Sequence, residues 1–427
     1  MNFTVYIGDT NKALKLIEKE SVDAVMTSPP FWGLRDYGVK GQIGLEPTPQ
    51  KYIQNIVKVS EEIKRVLKLS GSYWLNLGDT YNSHRDWSYS DWESKKIATK
   101  GNQKQPINSE WLVPKQKLLM PHRTAIALQD TGWICRNDVV WHKPSHMPSS
   151  VKDRLTNSFE FVFHFVKQKK YYYDLDAIRE PHSTTIKEMG ADKNGNYNGQ
   201  ATKNYSLAKA QNPSETKKRI LENLNPSGKN PSDFWQINPK PFPEAHFACF
   251  PPALIRKPIK ATVPKQVCTK CGKARERIIE TSGYRTAEEE KELQRLVKET
   301  GVPRHSLGLK VPSHSQKDFK GFSSCSCNAK FKAGTVLDPF LGSGTTLQEA
   351  MQQGKNGIGI ELNPDYSPII MRRLNCRAKL KKNTFTNGQG DTLKFITLDG
   401  SEIKYKKKPP KPIQKGQATL TQQEEKQ

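Results

Sequence analysis

No stretch of the sequence approaches the roughly 18 consecutive apolar residues of a membrane-spanning helix, so no bilayer span is expected. No basic segment followed by an apolar run opens the chain, so no secretory leader is expected. Both absences predict a cytosolic protein. Cysteine is scarce, seven in 427 residues. In a reducing compartment such thiols are free, catalytic or metal-bound rather than paired in disulfides. Acid is in deficit: 43 Asp and Glu face 68 Lys and Arg, a net charge of +25. That surplus suits a polyanionic partner, most simply nucleic acid. Part of it is a solvated run, KYKKKPPKPIQK at 404–415, but Lys and Arg stay frequent from 143 to 280.

The length allows about three domain-sized units. Residues 1–80 alternate between short apolar runs and helical patterns. Strands are predicted over Phe3–Ile7 and Val22–Met26, with a short helix over Asn11–Glu18 between them. Thr48-Pro49 is an N-cap with proline in the first helical turn. The helix it opens ends at Ser70-Gly71, before a strand over Tyr73–Leu77. This βαβαβ order predicts an α/β protein with a doubly wound, mostly parallel sheet. A helix over Lys117–Asp130 and strands over Trp133–Trp141 and Phe159–Lys167 follow. The segments 81–116 and 181–240 are polar and read as insertions. Near the end, LKFITLDGSEIKY alternates around Asp399-Gly400, which predicts a hairpin, and QQEEKQ closes a tail expected to be disordered.

Two motifs carry chemistry. The first is TSPPFWGLRDYG at 27–38. Val22–Met26 is apolar except for Asp23, the pattern of a buried parallel strand. Pro29 and Pro30 have no amide hydrogen to donate, so the strand must stop near Ser28. The second is AGTVLDPFLGSGTT at 333–346, a strand, a Gly342/Gly344 turn and the start of a helix. Leu347 stands where a dinucleotide fingerprint has its third glycine, which counts against a nicotinamide cofactor. The strand NGIGIEL then delivers Glu361 about 20 residues beyond the glycine turn, placed for ribose hydroxyls. That order fits an adenosine-containing cofactor.

Together the two motifs resemble the DNA amino-methyltransferases, which use S-adenosylmethionine to methylate exocyclic amines of cytosine or adenine. The likeness covers 1–80, 117–180 and 226–378. Ser28-Pro29-Pro30-Phe31 is similar to the family's catalytic motif, and Asp338–Thr346 to its cofactor motif. The catalytic motif comes first, which resembles the circularly permuted beta group. HFACFP at 246–251 is similar to a further cofactor-side motif, with NPSDFW at 230–235 leading into it. The resemblance implies a Rossmann-like sheet, base flipping, and catalysis by Ser28, Pro29, Pro30 and Phe31. It implies cofactor contacts from Asp9, Phe247, Asp338, Phe340, Gly342, Ser343, Gly344, Thr345 and Glu361. Trp32 and Tyr37 either line the base pocket or pack the loop.

The resemblance divides the chain into a catalytic half at 1–180, a target-recognition region at 181–240 and a cofactor-side motif at 241–267. A cysteine insertion at 268–330, a cofactor half at 331–380 and a basic hairpin with its tail at 381–427 complete it. Duplex DNA is the implied substrate, and a cognate restriction endonuclease on a separate chain the implied partner. Serine before Pro-Pro leans toward cytosine N4, and aspartate would lean toward adenine N6. Methylation at ring carbon 5 would need a cysteine nucleophile after proline, and no Pro-Cys pair exists. A DNA-binding module without catalysis, or an RNA or protein methylase, stays open on sequence alone.

Cys268-X-X-Cys271 and Cys325-X-Cys327 are either a four-thiolate structural zinc site or free thiols on an insertion. Cys135, Cys249 and Cys376 read as core. His142 and His146 have ligand-like spacing but suit a DNA contact better. Asp391, Glu402 and Lys404 loosely echo a nuclease pattern that a hairpin explains equally. Arg85, Trp87 and Tyr89 form a second candidate DNA surface.

Overall fold

The computed structural model describes residues 1–82, 112–182, 227–239, 250–282, 287–301, 316–376 and 378–403. The expectations for Arg85, Trp87, Tyr89, Phe247, Cys249 and Lys404, and for most of 181–240, fall outside these residues.

The first strands follow the sequence pattern: β1 spans Asn2–Ile7 and β2 spans Val22–Thr27, buried at every position. Helix α1 (Thr10–Lys15) joins them, and α2 (Pro49–Val66) leads to β3 (Leu67–Leu77). Then come α3 (Met120–Asp130), β4 (Ile134–His142), β5 (Phe159–Val166), β6 (Phe234–Gln236) and α4 (Pro252–Thr262). The cysteine insertion carries β7 (Val267–Cys268), β8 (Arg277–Ser282), α5 (Ala287–Thr300) and β9 (Gln316–Phe322), with β10 (Phe331–Lys332) after it. The chain returns through β11 (Thr335–Asp338), α6 (Thr345–Gln352), β12 (Asn356–Glu361) and α7 (Ser367–Arg373). It continues through β13 (Ala378–Lys381), β14 (Thr384–Thr386) and β15 (Thr392–Thr397).

Two compact units result. One holds Met1–Tyr173, Asp233–Gln266 and Lys332–Gln427; the other holds Asp174–Ser232 and Val267–Phe331. The first is built on an 11-stranded sheet, order β13-β14-β15-β1-β12-β11-β2-β3-β5-β4-β6. From β15 to β3 every neighbouring pair is parallel. Strand β5 runs antiparallel between β3 and β4. Alternation from Ala24 onward sends Ala24 and Met26 to one face and Val25 to the other, and Val22 joins Val25 across a register shift between Val22 and Ala24. Helices α4, α6 and α7 cover the first face and α1, α2 and α3 the second. The doubly wound α/β class is therefore the observed one.

Buried Asp23 is no defect in β2. It pairs with Lys68 at 2.6 Å and accepts the Thr335 amide at 2.8 Å, joining three strands. Lys68 also explains one departure from expectation. The second helix ends at Val66, and β3 runs unbroken through Ser70-Gly71. Gly71 is needed there for packing rather than as a helix stop. A Cβ on it would lie 2.5 Å from Leu67 Cδ1 and 2.8 Å from the Asp23 carbonyl.

Among the described residues, which end at Ile403, no strand follows Asp399-Gly400 to complete the expected hairpin. Strand β15 pairs instead with β1 in parallel and with β14 upstream, so its alternation belongs to the main sheet. Asp391 and Glu402 serve this corner rather than a nuclease site: Asp391 binds the terminal amine at 2.6 Å, and Glu402 pairs with Lys379. Cys376 is buried as expected, but Cys135 is only half-buried. His142 stacks on Phe234, and His146 Nδ1 lies 3.1 Å from the Lys143 carbonyl, so neither is gathered into a metal group.

Close helix–sheet packing near the glycine turn is achieved from the strand side. Leu347, in place of a third glycine, lies where a Cβ on Gly357 of β12 would be, 2.5 Å from Leu347 Cδ2 and 2.9 Å from Phe3 Cδ1. Both neighbours are at most 1% exposed. Gly357→Ala should therefore destabilise by about 1–3 kcal/mol through overpacking. Adding Leu347→Ala should recover part of that loss, which a double-mutant cycle of thermal unfolding would measure.

Candidate active site

The carboxyl ends of parallel strands are where such sheets hold ligands. Here Asp9 follows the end of β1 and Ser28 that of β2, while β11 ends on Asp338 and β12 on Glu361. Asp9, Ser28 and Glu361 line an open cleft of about 110 Å³, walled by residues of both sequence motifs. Ser28, Pro30 and Tyr37 line it from the first motif, and Phe340, Gly342, Ser343 and Thr345 from the second. Asp9 and Glu361 complete the expected wall, and Phe250 and Tyr366 add two aromatic surfaces.

Glu361 is 8% exposed. Its Oε2 accepts the Gly342 amide at 2.7 Å and its Oε1 the Asn363 amide at 2.8 Å. Burial nevertheless raises its carboxyl to about 7, the two amides pulling the other way and Asp338 adding to the rise. Gly342 and Gly344 both hold positive φ, 55° and 90°, and turn the backbone tightly at the cleft floor. Asp9 caps α1 by accepting the Lys12 amide at 3.0 Å and still faces the cleft.

Asp338 does something different from ligand contact. It is fully buried and off the cleft wall. Its carboxylate accepts Thr27 Oγ1 at 2.7 Å, Thr346 Oγ1 at 2.6 Å and the Phe340 amide at 3.1 Å. It thus ties the residue before Ser28 to both sides of the glycine turn. Burial pushes this carboxyl up to about 6, against the pull of those three donors.

Ser28 heads a polar chain. Its Oγ lies 3.0 Å from Asn76 Oδ1, at the end of β3. Asn76 Nδ2 donates to Glu160 Oε2 at 3.1 Å and to the Phe161 carbonyl at 3.0 Å. Glu160 in turn pairs with Lys143, whose Nζ lies 4.4 Å from the Trp141 ring centre. Both Asn76 amide hydrogens face acceptors, so the amide has one satisfied orientation. In it Oδ1 faces Ser28, and the Ser28 hydroxyl must donate. Its lone pairs are left to accept a hydrogen from a molecule in the cleft.

Phe31 packs over Gly78, where an added Cβ would lie 2.6 Å from Phe31 Cε2. Pro29 is buried, and neither residue is on the cleft wall. Trp32 is not on it either: its Nε1 donates to the Glu46 carbonyl at 2.8 Å, and the residue packs against the small buried cluster that includes Tyr52 and Ile56. Of the two open aromatic positions, Tyr37 is in the cleft and Trp32 packs the loop. Gly344 sits behind the wall as the residue opening α6.

Sequence reasoning missed Asn76, Glu160 and Thr27. Asn76 left one signal, a lone polar residue ending the apolar run YWLNL. Thr27 and Glu160 left none, because their roles depend on strands brought together by the fold. Elsewhere, the four expected cysteines do meet: Cys268, Cys271, Cys325 and Cys327 place all four sulfurs within 4.8 Å of one another.

The comparisons with known proteins agree with this geometry. A family profile described as DNA methylase, of the N6/N4 methyltransferase type, matches residues 22–269 and 324–372. The chain is 33% identical over 372 residues to the type II methyltransferase M.XycI of Xanthomonas campestris pv. cyanopsidis, covering 87% of each. It is 31% identical over 371 residues to M.SmaI of Serratia marcescens, covering 87% of this chain and 90% of that one. A solved structure, PvuII DNA methyltransferase (cytosine-N4-specific), is 17% identical, covers 87% of this chain and 86% of its own, and has a TM-score of 0.46. With the profile matched over more than half its length and two relatives matched nearly end to end, the chain belongs to the N6/N4 family of S-adenosylmethionine-dependent DNA amino-methyltransferases.

Proposed function

We propose that this protein methylates the exocyclic N4 of cytosine in duplex DNA after flipping the base out of the stack. The observation that carries this reading is the pinned Ser28 hydroxyl, whose lone pairs face a cleft shared with the glycine turn and Glu361. The cofactor fits that cleft: a turn of two positive-φ glycines, a buried acid beside it and two aromatic surfaces suit an adenosine. Glu361 would accept from the ribose hydroxyls, and Asp9, Phe250 and Tyr366 would flank the adenine side. Bound there, S-adenosylmethionine supplies a methyl group activated by its sulfonium.

Ser28 and the Pro29 carbonyl would accept the two hydrogens of the target amine. Holding both draws the nitrogen lone pair out of conjugation with the ring and aims it at the methyl group. With the methyl donor held by the glycine turn and Glu361, the amine held by Ser28 and the Pro29 carbonyl would be positioned to accept its methyl group and would lose one hydrogen to solvent as a proton. Positioning and fixed electrostatics supply the rate. Phe31, seated on Gly78, would stack on the flipped base, and Tyr37 would close the pocket. Serine in place of aspartate before Pro-Pro is what favours cytosine over adenine. By analogy with its type II relatives, the modification would protect DNA from an endonuclease on a separate chain. The catalytic motif preceding the cofactor motif fits the permuted order. Among the described residues no helix is long and apolar enough to cross a membrane.

The substrate class is tested by offering duplex DNA, RNA and protein side by side with methyl-labelled cofactor. Label in DNA alone is expected, and label in RNA or protein instead would overturn the reading.

Glu361 gives a pH prediction. Its carboxyl sits near 7 in the free protein, and ribose hydroxyls donate to its ionised form. Binding should therefore release a proton, and cofactor affinity should rise with pH until it levels off above about 7. Below that, affinity should fall by at most tenfold per pH unit. Glu361→Gln should weaken binding about 10–100-fold and flatten the profile, as calorimetric titration from pH 5.5 to 8.5 would show. Linkage to folding has the opposite sign. A carboxyl raised in the folded state stabilises it at low pH, and that contribution is lost as pH rises through about 7.

A further inference from the structure

We propose that Cys268, Cys271, Cys325 and Cys327 bind one structural Zn²⁺ that holds the second unit together. Tetrahedral zinc with sulfur at about 2.3 Å sets its ligands about 3.8 Å apart. The four sulfurs already lie within 4.8 Å of one another, although 53 residues separate Cys271 from Cys325. A contraction of at most about 1 Å reaches that geometry.

The backbone is shaped for a metal-bound thiolate. In the first pair the Lys270 amide donates to Cys268 Sγ at 3.4 Å, and Gly272 turns the backbone at φ 69°. Its own amide returns to the Cys268 carbonyl at 3.0 Å. In the second pair Asn328 takes the equivalent left-handed position, φ 46°, just after Cys327. Two sets of hydrogen bonds stitch the turns together. The Thr269 amide and hydroxyl both reach the Lys330 carbonyl at 2.9 Å. Arg275 Nε donates to the Ser323 carbonyl at 3.0 Å, and the Glu276 amide to Ser323 Oγ at 2.8 Å.

The described side chains of the second unit bury little apolar surface. Among its described residues the buried apolar side chains are Ile178, Val267 and Cys268. None of its described residues enters the three hydrophobic clusters of the molecule. Where apolar burial is this sparse, as around the described cysteine turns, a metal staple adds cohesion. Four thiolates are soft ligands that select zinc over magnesium or calcium, and they leave no open position for catalysis. Each thiol gives up its proton to solvent as its sulfur binds, and Lys270, Lys273 and Lys330 in the same turns offset the charge.

The test uses the full-length protein, purified without chelator. Elemental analysis should find one zinc per chain. A mercurial reagent should release it in step with the titration of these four thiols. Replacement by Co²⁺ should give the near-ultraviolet thiolate charge-transfer and visible bands of a tetrahedral sulfur site. Cys271→Ser and Cys325→Ser should each abolish stoichiometric metal. Should those variants fail to fold, the cobalt spectrum of the unaltered chain still decides. Hydrogen exchange in 267–282 and 316–331 should accelerate when the metal is removed. Metal-free protein with four freely reactive thiols, disulfides in their place, iron at the same stoichiometry, or unchanged exchange would each overturn the proposal. None of these readouts depends on methyl transfer, so this site and the proposed activity succeed or fail separately.

Discussion

Asp338→Ala should cost about 2–4 kcal/mol of stability and lower the unfolding midpoint by about 3–6 °C. The substitution strands three donors at a fully buried point: two threonine hydroxyls and the Phe340 amide. The hydroxyls can turn to nearby carbonyls, but the amide cannot. The loss is also positional. Thr27 immediately precedes Ser28, and Thr346 and Phe340 flank the glycine turn, so one carboxylate sets the distance between the two halves of the cleft. A displacement of about 1 Å between reacting groups can cost about a hundredfold in rate. Cofactor affinity and turnover should therefore fall together in Asp338→Ala. Asp338→Asn keeps the side-chain volume and one acceptor, and should lose less of all three quantities. Calorimetric unfolding, cofactor titration and methyl transfer on the same preparations would check this. Unaltered stability in Asp338→Ala would show that the latch carries no weight.

Ser28→Ala and Asn76→Ala should separate chemistry from binding. Removing a hydrogen bond made to the reacting amine lowers turnover about 10²–10³-fold. Ser28→Ala should do so while cofactor affinity stays within about twofold, because Ser28 is not expected to touch the cofactor. Asn76 does not reach the amine; it holds the Ser28 hydroxyl in the donating orientation. Asn76→Ala frees that hydroxyl to donate toward the cleft, where it would repel the amine hydrogens. Turnover should drop about tenfold or more, less than for Ser28→Ala, and the double variant should be no worse than Ser28→Ala alone. Additive losses would mean that Asn76 acts apart from Ser28. A change confined to KM would mean that both residues only bind substrate.

The fold was legible where local pattern and global topology agree. The Val22–Met26 run, broken by two prolines, reads as a buried strand, and β2 is that strand. The strand, glycine turn, helix, strand and acid after Thr335 were equally plain. The sequence misled where long-range pairing overrides local signals. Asp399-Gly400 looks like a hairpin turn, yet β15 is claimed by β1, nearly 400 residues earlier. Ser70-Gly71 looks like a helix stop, yet Lys68 is drawn into the sheet by Asp23. Leu347 looked like a defect in a glycine fingerprint, and its compensation, Gly357, sits on the next strand. In the site, residues on the motif backbone were readable and those supporting them were not. Asp338 was read as a ligand contact because it stands in a motif similar to the family's cofactor motif, but its side chain turns inward to Thr27 and Thr346. Asn76 and Glu160 belong to strands that meet Ser28 only in the folded sheet. No spacing rule within one segment could have joined them.

The most direct test is the identity of the methylated base. Unmethylated duplex DNA would be incubated with the protein and S-adenosylmethionine, digested to nucleosides and separated by mass. N4-methylcytosine is the predicted product. N6-methyladenine would preserve the family and the cleft but contradict the role given to Ser28 in choosing the base. No methylated nucleoside, from protein that binds cofactor in the cleft, would contradict the assignment of catalysis itself.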